Sequence, residues 1–239
     1  MTRMTAVWRK EFKSYWYSPI AYIVITVFLV ILTWFFFRGF YLVNNANMRD
    51  FFAVLPWAFL FLMPAVTMRQ WAEERKSGTL ETLMTKPLSE WEVVIGKYLA
   101  TVALLVVILL LTLPLTFSVA GLSQAGLDWG VVFANYLGAL LLGMAYLALG
   151  GWASCFTQNQ IVAFILGLAI IFVLMVLGLP VVTLFSGVFA PLLRYISIGE
   201  HFTSLARGVI DTRDLVYYVS VVFLSLYLTV RTVESRKWG

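Results

Sequence analysis

The chain alternates between long apolar runs and short polar breaks. Six runs stand out, at residues 20–37, 51–68, 98–120, 131–156, 161–182 and 215–230. The first five have the length that carries a helix across a hydrocarbon core about 30 Å thick, roughly 17–25 residues. The sixth has 16 residues; it must tilt little, borrow a turn from its flanks, or sit where the bilayer thins. Ser18-Pro19 opens the first run, with proline where its missing N–H costs a helix least. Pro114 predicts a kink in the outer part of the third run.

The breaks are not alike. Residues 69–97 hold ten of the 29 charged side chains, five basic and five acidic. Orientation follows from the basic residues, because Lys and Arg in short loops stay cytoplasmic. With the N-terminus inside, residues 1–19, 69–97, 157–160 and 231–239 hold twelve of the seventeen Lys and Arg; the outer segments hold Arg38, Arg49, Arg194, Arg207 and Arg213. Both termini and the charged island are therefore expected in the cytoplasm. The net charge of +5 is then largely an orientation signal and does not call for nucleic acid.

Composition agrees. The chain is 62% hydrophobic and 12% charged, against about half and about a quarter in soluble domains, so membrane lipid is its expected solvent. Residues 1–18 carry Met4, Trp8, Phe12, Tyr15 and Trp16 along one side and Arg9, Lys10 and Lys13 on others. That pattern suits a helix lying in the headgroup layer; a plain basic juxtamembrane tail is the alternative. The fourth run is rich in small residues, among them Gly138, Gly143, Gly150 and Gly151, which let another helix approach closely. Internal packing and a subunit seam explain this equally well. Trp34, Phe35, Phe36, Phe37, Trp57, Phe59 and Phe61 in the first two runs would suit an apolar substrate, or simply lipid.

Residues 183–214 are too long for a tight turn and begin too apolar for a free loop. An outer re-entrant hairpin is expected, its non-helical backbone covered by protein or lining a cavity. Arg194, Glu200, His201, Arg207, Asp211, Arg213 and Asp214 in its later half read either as ion pairs tying the outer helices together or as a contact for substrate or a periplasmic partner, with the first five as the candidate gate or partner contact.

Several chemistries are missing. The six runs contain no Asp, Glu, Lys, Arg or His, whereas proton-coupled carriers place ionisable groups at membrane depth. Cys155 and His201 are the only residues of their kinds, so neither a disulfide framework nor a cysteine or histidine cluster with metal-ligand spacing can form. No Gly-x-Ser-x-Gly elbow is present. The P-loop pattern fails as well: Gly96-Lys97 is followed by Tyr98, and Trp91 stands where the first Gly belongs. No catalytic residue is expected, and ATP-driven work would need another chain.

Within the island, residues 68–76 are expected to extend the second span. Ser77-Gly78 then breaks the helix, and Thr79 can cap a short helix over residues 80–84. Pro87 ends it, and Ser89 opens the helix that feeds the third span. The short helix would present Leu80, Leu83 and Met84 on one side, with Glu81 beside them, which suits a docking knob for a cytoplasmic partner.

The stretch from Glu73 to Ala100, EERKSGTLETLMTKPLSEWEVVIGKYLA, resembles the signature of type-2 ABC exporter permeases. Glu73 and Glu74 match its acidic pair, Gly78, Thr79, Leu80 and Glu81 match its core, and Leu83-Met84 replaces the usual Leu pair with apolar character kept. Residues 195–218 and RTVESRKW near the end are similar to the gliding-motility type of permease. The resemblance implies an all-α membrane protein forming one domain over residues 1–239. Its parts would be six transmembrane helices, an interfacial helix at 1–18, a coupling segment at 69–97 and an outer re-entrant hairpin at 183–214. It implies a bacterial inner-membrane permease that pairs with a second permease chain, as homodimer or heterodimer, and with two copies of a cytoplasmic ABC ATPase. ATP and Mg would sit on that ATPase, and this chain would bind no cofactor of its own. The substrate moved outward would be lipidic, glycan or peptide. Mechanical transmission to a periplasmic partner without flux is the alternative.

Overall fold

The computed structural model describes residues 3–43, 48–79, 89–122, 126–185 and 187–235, and among these no strand occurs. The helices are α1 (Arg3–Tyr17), α2 (Pro19–Val43), α3 (Arg49–Thr67), α4 (Arg69–Lys76), α5 (Glu90–Leu122) and α6 (Trp129–Ser154). After these come α7 (Gln160–Val176), α8 (Pro180–Phe185), a 3-10 turn at Gly187–Phe189, α9 (Ala190–Ile196), α10 (Ile198–Ala206) and α11 (Thr212–Ser235). Five stretches are long and apolar enough to cross a bilayer: α2, α3 continued into α4, α5, α6 and α11. The sixth run does borrow turns from both flanks, and α11 reaches 24 residues.

The fifth run departs from expectation. Instead of a helix through residue 182, α7 stops at Val176 after 17 residues, and α8 starts at Pro180. Proline disfavours helical backbone in the residue before it. Gly178 adds a packing reason: a Cβ there would lie 2.4 Å from Ser197 Oγ and 2.7 Å from Glu200 Cγ, so the chain bends where α10 presses against it.

Helix starts follow local chemistry. Asp128 caps α6 by accepting from Gly130 N at 3.0 Å and Val131 N at 3.3 Å. Asn159 caps α7 through Ile161 N at 2.9 Å. Ser89 and Glu92 form a reciprocal capping box at the head of α5, Ser89 N donating to Glu92 Oε2 at 2.9 Å and Glu92 N to Ser89 Oγ at 3.3 Å. Two orphan amides are satisfied at once.

The small residues of α6 place it at the centre, in contact with α3, α5, α7, α10 and α11. An added Cβ would meet Leu205 of α10 at Gly138, Leu105 of α5 and Phe59 of α3 at Gly143, and Thr67 of α3 at Gly150. These small residues are used for packing inside the chain. Around them Phe28 stacks on Phe59, and Phe36, Phe51, Phe52 and Tyr136 make a run of edge-to-face contacts. The aromatics of the first two runs thus split, with Phe36 and Phe59 in the core and Trp34, Phe35, Trp57 and Phe61 exposed.

Element ends sort into two groups. Trp71 of α4, Val93 and Val94 of α5, Cys155 beyond α6, and Val230 and Val233 of α11 share one apolar cluster. Arg75 donates to the Cys155 carbonyl at 2.7 Å, and α1 packs across α5, where Val7 fills the space that Gly96 leaves open. This is the charged end. At the opposite end lie α8 to α10 and the start of α11.

Candidate functional site

At the charged end α3 runs on through a turn at Met68 into α4, so the second span projects as an arm through Lys76. The arm ends at Ser77-Gly78. Ser77 Oγ donates to the Glu73 carbonyl at 2.9 Å, and Gly78 adopts φ +68°, a left-handed conformation open to glycine at no steric cost. The hydroxyl of Thr79 lies 2.8 Å from Ser77 Oγ and 3.4 Å from the Glu74 carbonyl, so it closes the finished helix. Leu80, Glu81, Leu83, Met84 and Pro87, and with them the expected short helix, lie outside the described residues.

The acidic pair divides its work. Glu73 is about half exposed and accepts from Arg69 Nε at 2.8 Å, and Arg69 donates in turn to Ser18 Oγ at 2.8 Å. Glu74 turns inward, its Oε1 2.7 Å from Lys97 Nζ. Lys97 is 1% exposed in its side chain. It also donates to Glu11 Oε1 at 3.3 Å and to the Gln70 carbonyl at 3.1 Å, and lies 5.1 Å from the Trp71 ring centroid. Sequence reasoning missed Lys97, Glu11, Gln70 and Trp71 as one constellation. The available signal was Glu11, the single acid among eighteen residues otherwise rich in aromatic and basic side chains.

At the opposite end the predicted residues take part in several distinct contacts. His201 Nδ1 lies 2.7 Å from Asp214 Oδ1, its Nε2 lies 3.0 Å from the Tyr195 carbonyl, and its ring stacks on Tyr217 at 3.8 Å. Tyr218 donates to the Ile198 carbonyl at 3.0 Å, and Tyr217 bonds the Ile196 carbonyl. These contacts tie α9 and α10 to α11. Asp214 is the buried member of the expected set; Asp211 instead accepts from the Arg213 backbone at 2.9 Å. Arg194 and Glu200 approach to 4.0 Å at an exposed position. Glu200 and Arg207, with Trp57, Met175 and Phe202, line a cleft of about 610 Å³ between α3, α7 and α10.

A chain of apolar helices with a charged, helix-broken arm at one end has the parts of a membrane subunit. A family model described as ABC-2 family transporter protein matches residues 5–235. The chain belongs to the ABC-2 transporter family. It is a multi-pass membrane protein and the transmembrane subunit of an ABC transporter; in this family the ATPase is a separate cytoplasmic subunit with which the permease normally pairs. No curated protein matches the chain.

Proposed function

We propose that this ABC-2 permease is one half of the membrane channel of an ATP-driven exporter in a bacterial cytoplasmic membrane. A second permease chain, identical or related, would complete the channel, and two ATPase subunits with bound ATP and Mg would drive it. The single observation that carries the reading is the arm formed by α3 and α4. It carries the second span past Met68 to Lys76, packed on α6 and α7, and turns at Gly78, inside the stretch that resembles the permease signature. The residues beyond that turn, Leu80, Glu81, Leu83 and Met84, would seat in the ATPase, while Glu73 and Glu74 hold the arm.

Six crossings with both termini cytoplasmic fit the two groups of element ends. α1 and the end of α11 lie at the charged end, and so do the end of α6 and the start of α7. α7 must then make the return crossing although its 17 residues span only about 26 Å. A locally thin bilayer accommodates that length. The helices α8 to α10 would be the outer re-entrant segment, and the subgroup would be the gliding-motility type. The cleft beside Glu200 and Arg207 would lie on the exit side for a lipidic, glycan or peptide substrate.

The test is recovery of the complex from its source membrane. The native chain is expected to bring an ABC ATPase with it, and the double change Leu80→Ala, Leu83→Ala to lose most of it. Recovery without any ATPase refutes the reading, and equal recovery with the altered chain refutes the docking residues. In vesicles, ATP hydrolysis without outward flux, together with dependence on residues 194–214, would establish the mechanical alternative in place of export.

A further inference from the structure

The Gly96-Lys97 pair at the head of the third span has no role in docking as described so far, yet it is the most constrained polar position at the charged end. A lysine ammonium has three donors and no acceptor. All three donors of Lys97 are used, by Glu74 Oε1, Gln70 O and Glu11 Oε1. Gln70 and Glu74 stand four residues apart on one face of α4. The three acceptors therefore belong to two helices, α4 and α1, and the donor to a third, α5. Gly96 supplies the room: a Cβ there would fall 2.9 Å from Val7 Cγ1 and 3.3 Å from the Met4 carbonyl, so only glycine lets α1 lie this close to α5.

A second link joins the same two helices. Arg69 of α4 bonds both Glu73 and Ser18, the residue that joins α1 to α2. Ser18 directly follows Tyr17, the last residue of α1. The arm thus grips the N-terminal helix at two points through charged hydrogen bonds, which hold geometry more tightly than neutral ones.

We propose that Lys97 is a positioning residue that fuses α1, α4 and the head of α5 into one transmission body. The N-terminal helix then moves with the ATPase-facing arm and is more than a passive anchor. Glu74 serves in this body as an internal brace and not as a docking contact; its second oxygen, Oε2, is likewise buried. Removing the ammonium would leave two largely buried carboxylates near each other without the cation between them, a state that opens the cluster. The proposal rests on reading residues 69–97 as the ATPase-facing segment. Its test is a distance within the permease alone, so it succeeds or fails separately from ATPase recovery.

The experiment places spin-label pairs in the full chain in lipid nanodiscs, with Cys155→Ala as background. One pair, Ser14→Cys with Lys76→Cys, reports α1 against α4; the other, Lys76→Cys with Leu99→Cys, reports α4 against α5. The unaltered cluster is expected to give narrow distance distributions for both pairs. Glu11→Gln is expected at least to double the width for the first pair and leave the second unchanged, because the bonds from Lys97 to Glu74 and Gln70 remain. Lys97→Met is expected to broaden both. If Lys97→Met does not fold, Glu11→Gln decides alone, since Glu11 sits at the partly exposed rim. A first-pair distribution that stays narrow in Glu11→Gln overturns the proposal. Equal broadening of both pairs in that variant also overturns it, because it would signal general loosening.

Discussion

Gly150→Ala tests whether the small residues of α6 are internal packing. An alanine Cβ at this position would lie 2.3 Å from Thr67 Oγ1 and 3.3 Å from Thr67 Cβ. Thr67 is fully buried, and its hydroxyl donates to the Met63 carbonyl at 3.0 Å. To make room the threonine must leave the rotamer that supports this bond, or α3 and α6 must separate. Forcing an extra methyl group into a packed interior costs about 1–3 kcal/mol. The lost hydroxyl bond adds about 0.6 kcal/mol in a membrane setting. Against these stands the helix preference for Ala over Gly, about 1 kcal/mol. The balance is a loss of about 0.6–2.6 kcal/mol, or a midpoint lowered by about 1–10 °C for a chain of this size. Thermal unfolding of the purified chain reads this directly. Thr67→Ala should be nearly neutral alone and should restore most of the loss in the Gly150→Ala background, with a coupling of about 1–2 kcal/mol. A single variant as stable as the native chain, or a double variant no better than Gly150→Ala, refutes the reasoning. So would an unchanged midpoint accompanied by altered subunit association, which a subunit seam would produce.

Three further outcomes follow from the geometry. Gly78→Ala meets no atom within 4 Å but must hold φ +68°, so it should cost about 1 kcal/mol locally, seen as faster amide exchange in the last turn of α4. Ser89→Ala breaks the capping box and should weaken the head of α5 by about 1 kcal/mol, measured by exchange at Glu92 and Val93 against unchanged exchange at Leu104. His201→Phe keeps an aromatic ring to stack on Tyr217 but leaves Asp214 buried without its partner. It should destabilise the chain by about 2–4 kcal/mol, clearly more than Asp214→Asn, which keeps a hydrogen-bonding oxygen; equal losses in thermal unfolding would contradict this.

The island of charge between the second and third spans shows how far local chemistry can be read. Ser77-Gly78 was expected to end the arm and does, because a left-handed glycine acts through its own backbone. Ser89 was expected to open the next helix, and its capping box spans only three residues. Thr79, expected to cap the next helix, also reaches backward to Ser77 and the Glu74 carbonyl, while the residues it would cap lie outside the described ones. The fifth span was not legible in this way. Its apolar run passes through Gly178 and Pro180 without a polar residue, and only the approach of Ser197 and Glu200 shows why the helix must end before them.

What the sequence determined by itself was whatever depends on run length and on neighbours within a few residues: apolar segments, breaks, caps and the side on which basic residues gather. What the tertiary structure decided was which distant residues meet. Glu11 and Lys97 are 86 positions apart, and their pairing follows from how α1 crosses α5, a choice made by the missing side chain of Gly96. His201 finds Asp214 and not Asp211, because Asp214 lies within the first turn of α11 and is buried, whereas Asp211 precedes the helix and bonds the Arg213 backbone. The rotation and crossing of helices are set by packing over the whole bundle, and no local pattern encodes them.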